Sequence, residues 1–199
     1  MLNEIKRIKE KLTEARAPSS DYDLNPEIAL PEGRRLRAAA VLIALIQKGD
    51  DWHVILTMRS SALKHHPGQI AFPGGKQDST DLSLSDTALR EAEEEIGLSR
   101  TQVEILGKLP THETVTGFSV TPIVGVVTGE FTALPEKGEV AEVFTVPLDF
   151  LTLDSAFQIQ SRRWLRSRRY YYTIPYGPYY IWGATARMLR VFADAVAKK

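Results

Sequence analysis

The chain reads as a single α/β fold in which a mixed sheet lies between helical layers. Three observations predict this: apolar residues at helical spacing near both ends and in the middle, short apolar runs bounded by turn residues between them, and the interspersion of the two kinds. At 199 residues, with 43% hydrophobic and 25% charged, the chain suits one domain with a substantial core.

Leu2, Ile5, Ile8 and Leu12 recur at helical spacing in a charged segment, predicting an amphipathic helix over 2–16 that Pro18-Ser19-Ser20 ends. Residues 1–34 are assigned to this helix and a linker, and residues 35–199 to the main domain. The helix is expected to lie on its own domain, with a dimer contact as the alternative, so monomer and homodimer both stay open. Ala38 to Ile46 is a continuous apolar run, and Lys48-Gly49-Asp50-Asp51 reads as the turn into a second strand, Trp52 to Met58. The two make a hairpin. Strands follow near Val103 to Leu109 and Ser119 to Val127, then a short helix after Pro147. Two more strands are expected over Phe157 to Arg162 and Tyr170 to Ile174. A last helix from about Tyr180 to Ala197 is predicted, with Ile181, Thr185, Met188, Leu189, Phe192 and Val196 as its packing stripe.

The middle helix carries the chemistry. Leu89, Ala92 and Ile96 form an apolar stripe that can hold it against a sheet, Ser83 or Ser85 can cap its start, and Gly97 can end it in a left-handed conformation. Glu91, Glu94 and Glu95 project from another side, where residues three and four apart are neighbours and like charges repel. A hard divalent cation such as Mg²⁺ or Mn²⁺ reverses the sign of that interaction, normally together with waters and substrate phosphates. Taken alone, the same run also reads as a solvated acidic face.

Composition narrows the classes. There is no cysteine, which excludes disulfides and thiolate metal sites. The amino terminus is charged and does not read as a signal peptide, no apolar run is long enough to cross a membrane, and the end lacks a peroxisomal Ser-Lys-Leu address. A cytoplasmic location is the expectation. The zero net charge conceals an asymmetry: residues 151–199 hold nine Lys or Arg against two acids, and residues 1–150 hold sixteen against twenty-three. Arg162, Arg163, Arg166, Arg168 and Arg169 are interleaved with Trp164 and Tyr170 to Tyr172. Such a cluster can grip phosphates and stack on bases, or simply pair with the acidic body or lie along exposed strands. A small anionic nucleotide is the expected partner, and nucleic acid is not.

The segment from Gly75 to Leu98 resembles the Nudix box: a glycine, five residues, a glutamate, seven residues, then Arg-Glu-U-x-Glu-Glu-x-Gly-U, with U apolar. Arg90 to Leu98 matches its second half in full. Asp81 stands at the usual glutamate position, separated from Arg90 by eight residues instead of seven, and is expected to be a supporting group and not a ligand. Upstream, Leu56-Thr57-Met58-Arg59-Ser60 and Leu63-Lys64-His65-His66-Pro67-Gly68-Gln69-Ile70-Ala71-Phe72-Pro73-Gly74-Gly75 are similar to the extra motif of coenzyme A pyrophosphatases. Thr121 to Val124, Glu139 to Phe144 with Val146-Pro147-Leu148, and Ile181 to Ala186 also resemble segments of that subfamily, so the likeness spans roughly residues 35 to 190.

The resemblance implies a Nudix α/β/α sandwich with a mixed sheet, and Mg²⁺- or Mn²⁺-dependent cleavage of the diphosphate of coenzyme A or a derivative. Glu91, Glu94 and Glu95 would coordinate metal, with the Gly75 carbonyl, or that of Gly74, completing the site. Arg90 would orient a glutamate through a bidentate hydrogen bond. Nudix enzymes draw a general base from a box glutamate or from a later loop, so Glu91, Glu139 and Glu142 are candidates, with Glu139 favoured; Glu139 and Glu142 also read as ordinary surface carboxylates beside a strand. Arg59, Lys64, His66 and Gly74 would contact substrate, although Arg59 could instead pair with a box acid and His66 could satisfy a local hydrogen bond. Competing readings are a Nudix hydrolase for ADP-ribose, a dinucleotide or a nucleoside triphosphate, and a non-catalytic nucleotide- or RNA-binding module.

Overall fold

The first helix, α1 (Leu2–Leu12), carries Ile8 into the core at zero exposure and lies against a helix from the far end of the chain and a strand from its middle. It stops earlier than the expected residue 16. After Leu12 the bonds tighten to three-residue spacing, Thr13 to Glu10 and Glu14 to Lys11, and the Arg16 guanidinium turns back to donate to the Lys11 carbonyl at 2.7 Å. That carbonyl is one of those a helix end leaves without an internal partner. A computed structural model describes the chain except for residues 1, 15, 29–32, 64–65, 165–166 and 198–199.

The main sheet is built from β1 (Ser19–Ser20), β2 (Arg37–Lys48), β3 (Asp51–Arg59), β4 (Ile70–Ala71) and β5 (Gly74–Lys76). After helix α2 (Leu84–Ile96) it continues with β6 (Val103–Lys108), β7 (His112–Glu113), β8 (Phe118–Val127) and β9 (Val140–Pro147). Its main path runs β1-β7-β8-β2-β3-β4, with β5 paired to β2, β6 to β8 and β9 to β3. The sheet is mixed: β2–β8 and β1–β7 are parallel and the other pairs antiparallel. The predicted hairpin is present, with Lys48 opposite Asp51 across Gly49-Asp50. At its first strand pair, His112 bridges Ser19 Oγ (2.9 Å) and Asp21 Oδ1 (3.1 Å), which clasps the N-terminal segment to β7.

A short helix α3 (Leu148–Leu151) follows, then a separate antiparallel sheet of β10 (Gln158–Trp164), β11 (Ser167–Tyr176) and β12 (Tyr179–Trp182), and finally α4 (Ala184–Val196). The last helix therefore begins later than about Tyr180. Tyr179 to Trp182 pairs with Tyr176 to Thr173 as a strand, and Gly183, at φ 66°, breaks the chain before the helix. Ile181 is buried from that strand, while Thr185, Met188, Leu189, Phe192 and Val196 are buried from α4 as expected.

Two clusters fill the space on opposite faces of the main sheet. Ala40, Leu42, Ala44 and Ile55 face Ala88, Ala92 and Ile96 of α2. Ile43, Leu45, Leu56, Phe144 and Val146 face Ile8, Ile174, Ile181, Leu189 and Phe192. This alternation of neighbours follows from the two-residue period of a strand and gives the helix–sheet–helix layering. The run Val140–Pro147, read from sequence only as a family segment, forms β9 along β3, and its register shifts between Met58 and Arg59. Val143 faces the α2 cluster and Phe144 the other.

Candidate active site

Helix α2 is fixed at both ends by its own sequence. Ser83 is extended at φ −156° and its hydroxyl accepts the Asp86 N–H at 3.1 Å; Gly97 closes the helix in the left-handed region at φ 72°, donating to Glu93 O at 3.0 Å. With Ala88, Ala92 and Ile96 locked onto the sheet, Glu91 and Glu95, one turn apart, must face the glycine turn.

That turn accepts them because it lacks side chains. Val41 pairs with Gly74 and Ala40 with Gly75. A Cβ on Gly74 would sit 2.5 Å from the Ala40 carbonyl oxygen, and one on Gly75 would sit 2.4 Å from Glu91 Oε1. One glycine thus allows the backbone to approach β2 and the other makes room for the Glu91 carboxylate. The Gly74 N–H donates to Glu95 Oε2 at 3.2 Å.

Glu95 is 5% exposed, and burial pushes its carboxyl up from 4.5 to about 8. The Gly74 N–H and the Arg59 charge oppose the rise, while Glu91 and Glu139 add to it. Glu91 is shifted upward too, chiefly by burial, against the pull of Arg90 and with a push from Glu94 and Glu139. The Glu91 charge thus adds to the cost of charging Glu95. Two partly dehydrated carboxylates beside an open backbone turn could supply oxygens to a hard divalent cation, whose charge would offset the cost.

Arg90 does not grip a glutamate bidentately. Its Nε and Nη2 bind the two oxygens of Asp81 at 2.9 and 3.0 Å, while Nη1 reaches Glu91 Oε1 and Glu94 Oε2, each at 3.0 Å. Asp81 also accepts from the Thr87 hydroxyl at 2.9 Å, and hydrogen bonding to Arg90 holds its carboxyl far below the ordinary range. Asp81 therefore anchors the arginine that contacts Glu91. Replacing Asp81 with Ala should destabilise the protein by about 1–3 kcal/mol, the scale of unmaking buried charged hydrogen bonds, and lower turnover as well. Thermal melts and initial rates read the two effects. A carboxyl depressed in the folded state contributes stability above its unfolded pKa that is lost as pH falls through its folded pKa, so the stability gap between parent and variant should close in strong acid.

The remaining candidates divide. Glu94 is exposed and occupied with Arg90. Arg59 ends β3, and its charge acts on Glu95. Glu139 is exposed, its charge acts on both Glu91 and Glu95, and its carbonyl accepts the Ser60 N–H at 2.8 Å, so it borders the same site. Glu142 does not join them. It alternates with Val143 and so shares the Phe144 side of the sheet, where it accepts the Tyr179 hydroxyl at 2.5 Å; the Tyr179 ring stacks on Phe144 with centroids 3.6 Å apart. Bonding to Glu142 raises the Tyr179 pKa, which keeps that proton on the phenol. Nothing in the local sequence pairs Tyr179 with Glu142, because the contact is made between two sheets. His66 is exposed, at φ 54°, and its carbonyl accepts the Gln69 N–H; Lys64 lies outside the described residues. Among the described residues no three His, Cys, Asp or Glu side chains converge on one point.

Arg162, Arg163 and Arg168 are exposed along β10 and β11, one of the arrangements expected for the basic cluster, and none of them makes an ion pair among the described residues. Arg166 lies outside those residues. No described helix is long and apolar enough to cross a membrane.

Residues 35–167 match the model of the NUDIX domain. Among curated proteins, the chain is 42% identical over 164 residues to the "Uncharacterized Nudix hydrolase NudL" of Enterobacter sp. (strain 638), covering 82% of this chain and 84% of that one. It is 37% identical to the protein of the same name from Pectobacterium atrosepticum over 185 residues, 90% of this chain and 95% of that one. Among solved structures, an Ap4A hydrolase of C. elegans aligns with TM-score 0.48 and 19% identity over 57% of this chain and 82% of its own. A MutT protein of Methanosarcina mazei Go1 aligns with TM-score 0.48 and 24% identity over 62% and 86%. The chain belongs to the Nudix family. It is a Nudix hydrolase, a class of enzymes that act on nucleoside diphosphate derivatives and generally use divalent metal cations.

Proposed function

We propose that this hydrolase cleaves the diphosphate of coenzyme A or an acyl derivative, releasing 3',5'-ADP and 4'-phosphopantetheine or its acyl form. One observation carries the reading. The segment Leu56 to Gly75, which resembles the extra motif of coenzyme A pyrophosphatases, borders the acidic site: Arg59 acts on Glu95, and the Gly74-Gly75 turn receives Glu95 and Glu91. Discrimination of a substrate requires recognition groups beside the cleaved bond, and the positions of Arg59 and the glycine turn support that reading.

Glu91, Glu95 and the Gly75 carbonyl would hold Mg²⁺ or Mn²⁺, with Glu94 near the rim. Such an ion neutralises phosphate charge and lowers the pKa of water. Arg90, anchored by Asp81, keeps Glu91 aimed at the glycine turn. Arg59, Lys64 and His66 recognise the phosphates of coenzyme A. Glu139 takes the proton of the attacking water as its oxygen bonds to phosphorus and the bridging P–O bond breaks. The leaving phosphate carries the negative charge away. A cytoplasmic setting belongs to the same reading.

Incubation with coenzyme A and Mg²⁺ or Mn²⁺ should yield 3',5'-ADP and 4'-phosphopantetheine by mass spectrometry, faster than any cleavage of ADP-ribose, a dinucleotide or a nucleoside triphosphate in parallel. Intact coenzyme A under conditions in which another of these is cleaved would reject the substrate assignment.

A further inference from the structure

The loop between β8 and β9 is bonded to the end of the helix that bears the acidic site. The Leu134 N–H donates to Ile96 O and the Glu136 N–H to Glu95 O, both at 2.9 Å. These carbonyls belong to the last turn of α2, which has no helical partner for them. From there the chain makes one tight turn. The Glu136 carbonyl accepts from Glu139 N–H at 3.1 Å and from Val140 N–H at 2.8 Å, and the Glu136 carboxylate accepts the same Glu139 N–H at 2.8 Å. Gly138 leaves space for that carboxylate, since a Cβ there would lie 2.9 Å from Glu136 Oε2. On the far side, the Ser60 N–H holds the Glu139 carbonyl at 2.8 Å, directly after Arg59.

Glu139 is therefore fixed at its own N–H and C=O by two different elements, each adjoining the acidic site. Its side chain is exposed and makes no hydrogen bond to another described side chain, so only the backbone sets its position. A turn whose side-chain oxygen caps an N–H two or three residues on is a local device for fixing direction. Glu136 is too exposed for this bond to serve the core.

We infer that Glu136 is a positioning residue for hydrolysis, acting through Glu139: its carboxylate sets the turn that points Glu139 at the water to be deprotonated. The inference rests on the proposed role of Glu139 as base. Misplacing a reacting group by about an ångström costs on the order of 100-fold, so Glu136→Ala should lower kcat roughly 10- to 100-fold while KM for coenzyme A stays close to the parent value. Glu136→Gln, whose amide oxygen can accept the same N–H, should restore most of the loss. In a Glu139→Gln background, Glu136→Ala should add almost nothing, because the group it positions is gone. Thermal melts of the parent and all four variants accompany the rates.

Multiplying effects in the double variant, a rise in KM in place of a fall in kcat, or failure of Gln to rescue would overturn the positioning role. Should Glu139→Gln itself turn over at the parent rate, the base assignment fails and the inference falls with it. Those two failures appear in different proteins, so they are told apart.

Discussion

Glutamine in place of Glu95 is expected to remove metal-dependent turnover and at the same time to make the metal-free protein more stable. The two effects have one cause. Glu95 is almost fully buried, its carboxylate accepts one hydrogen bond among the described residues, from the Gly74 N–H, and burial lifts its carboxyl to about 8. A charged oxygen in that position is costly to the fold and useful only if a cation shares it. Glutamine keeps the shape and can still accept from Gly74, but it carries no charge. Groups that merely support a metal ligand are worth about 10–100-fold, so loss of a ligand itself should lower kcat/KM by roughly 100-fold or more. At neutral pH and above, the melting temperature without metal should rise, because the charge no longer has to be desolvated. Steady-state kinetics and thermal melts on the same preparation test both halves. A variant that stays active, or one that is less stable without metal, would contradict the account.

The second large effect is the dependence of metal stabilisation on pH. Glu95 holds its proton more tightly folded than unfolded, so its contribution to stability is fully present below its ordinary 4.5 and is lost as pH rises through about 8. The Glu91 carboxyl shifts in the same direction. Without metal, these groups should lower the melting temperature progressively over that interval. A divalent cation competes with the proton and binds only the folded arrangement, so the shift it produces should be small near pH 6 and large near pH 8.5. Melting curves with and without Mn²⁺ at both pH values show it. A metal-induced shift that shrank on going to high pH would reverse the predicted sign.

Legibility in the sequence followed the range of the interactions concerned. Helix α2 was readable because its cap, apolar stripe and closing glycine all lie between Ser83 and Gly97, and each acts on its neighbours. The β2–β3 hairpin was readable for the same reason, its turn being two residues long. The strand Tyr179–Trp182 was not, because a short aromatic run before an amphipathic helix has no period of its own, and only pairing with β11 decides its conformation. The bidentate partnership of Arg90 with Asp81 was hidden by the shift of one residue in spacing. The sequence reading favours Glu139 over Glu142 as base, but no local pattern separates the surroundings of the two. The face that Glu142 occupies depends on the register of β9 against β3, which shifts at Met58 and Arg59, and on a tyrosine from another sheet. The role inferred for Glu136 had no local signal, since the bonds that hold its loop reach back to α2.

The central claim is that Glu91 and Glu95, gathered at the Gly74-Gly75 turn, bind a divalent cation. Calorimetric titration of Mn²⁺ into the parent protein at pH 8, with 3',5'-ADP present, tests it most directly. The account predicts saturable binding that Glu95→Gln abolishes while the protein remains folded. No binding by the parent, or equal binding by the variant, would contradict it.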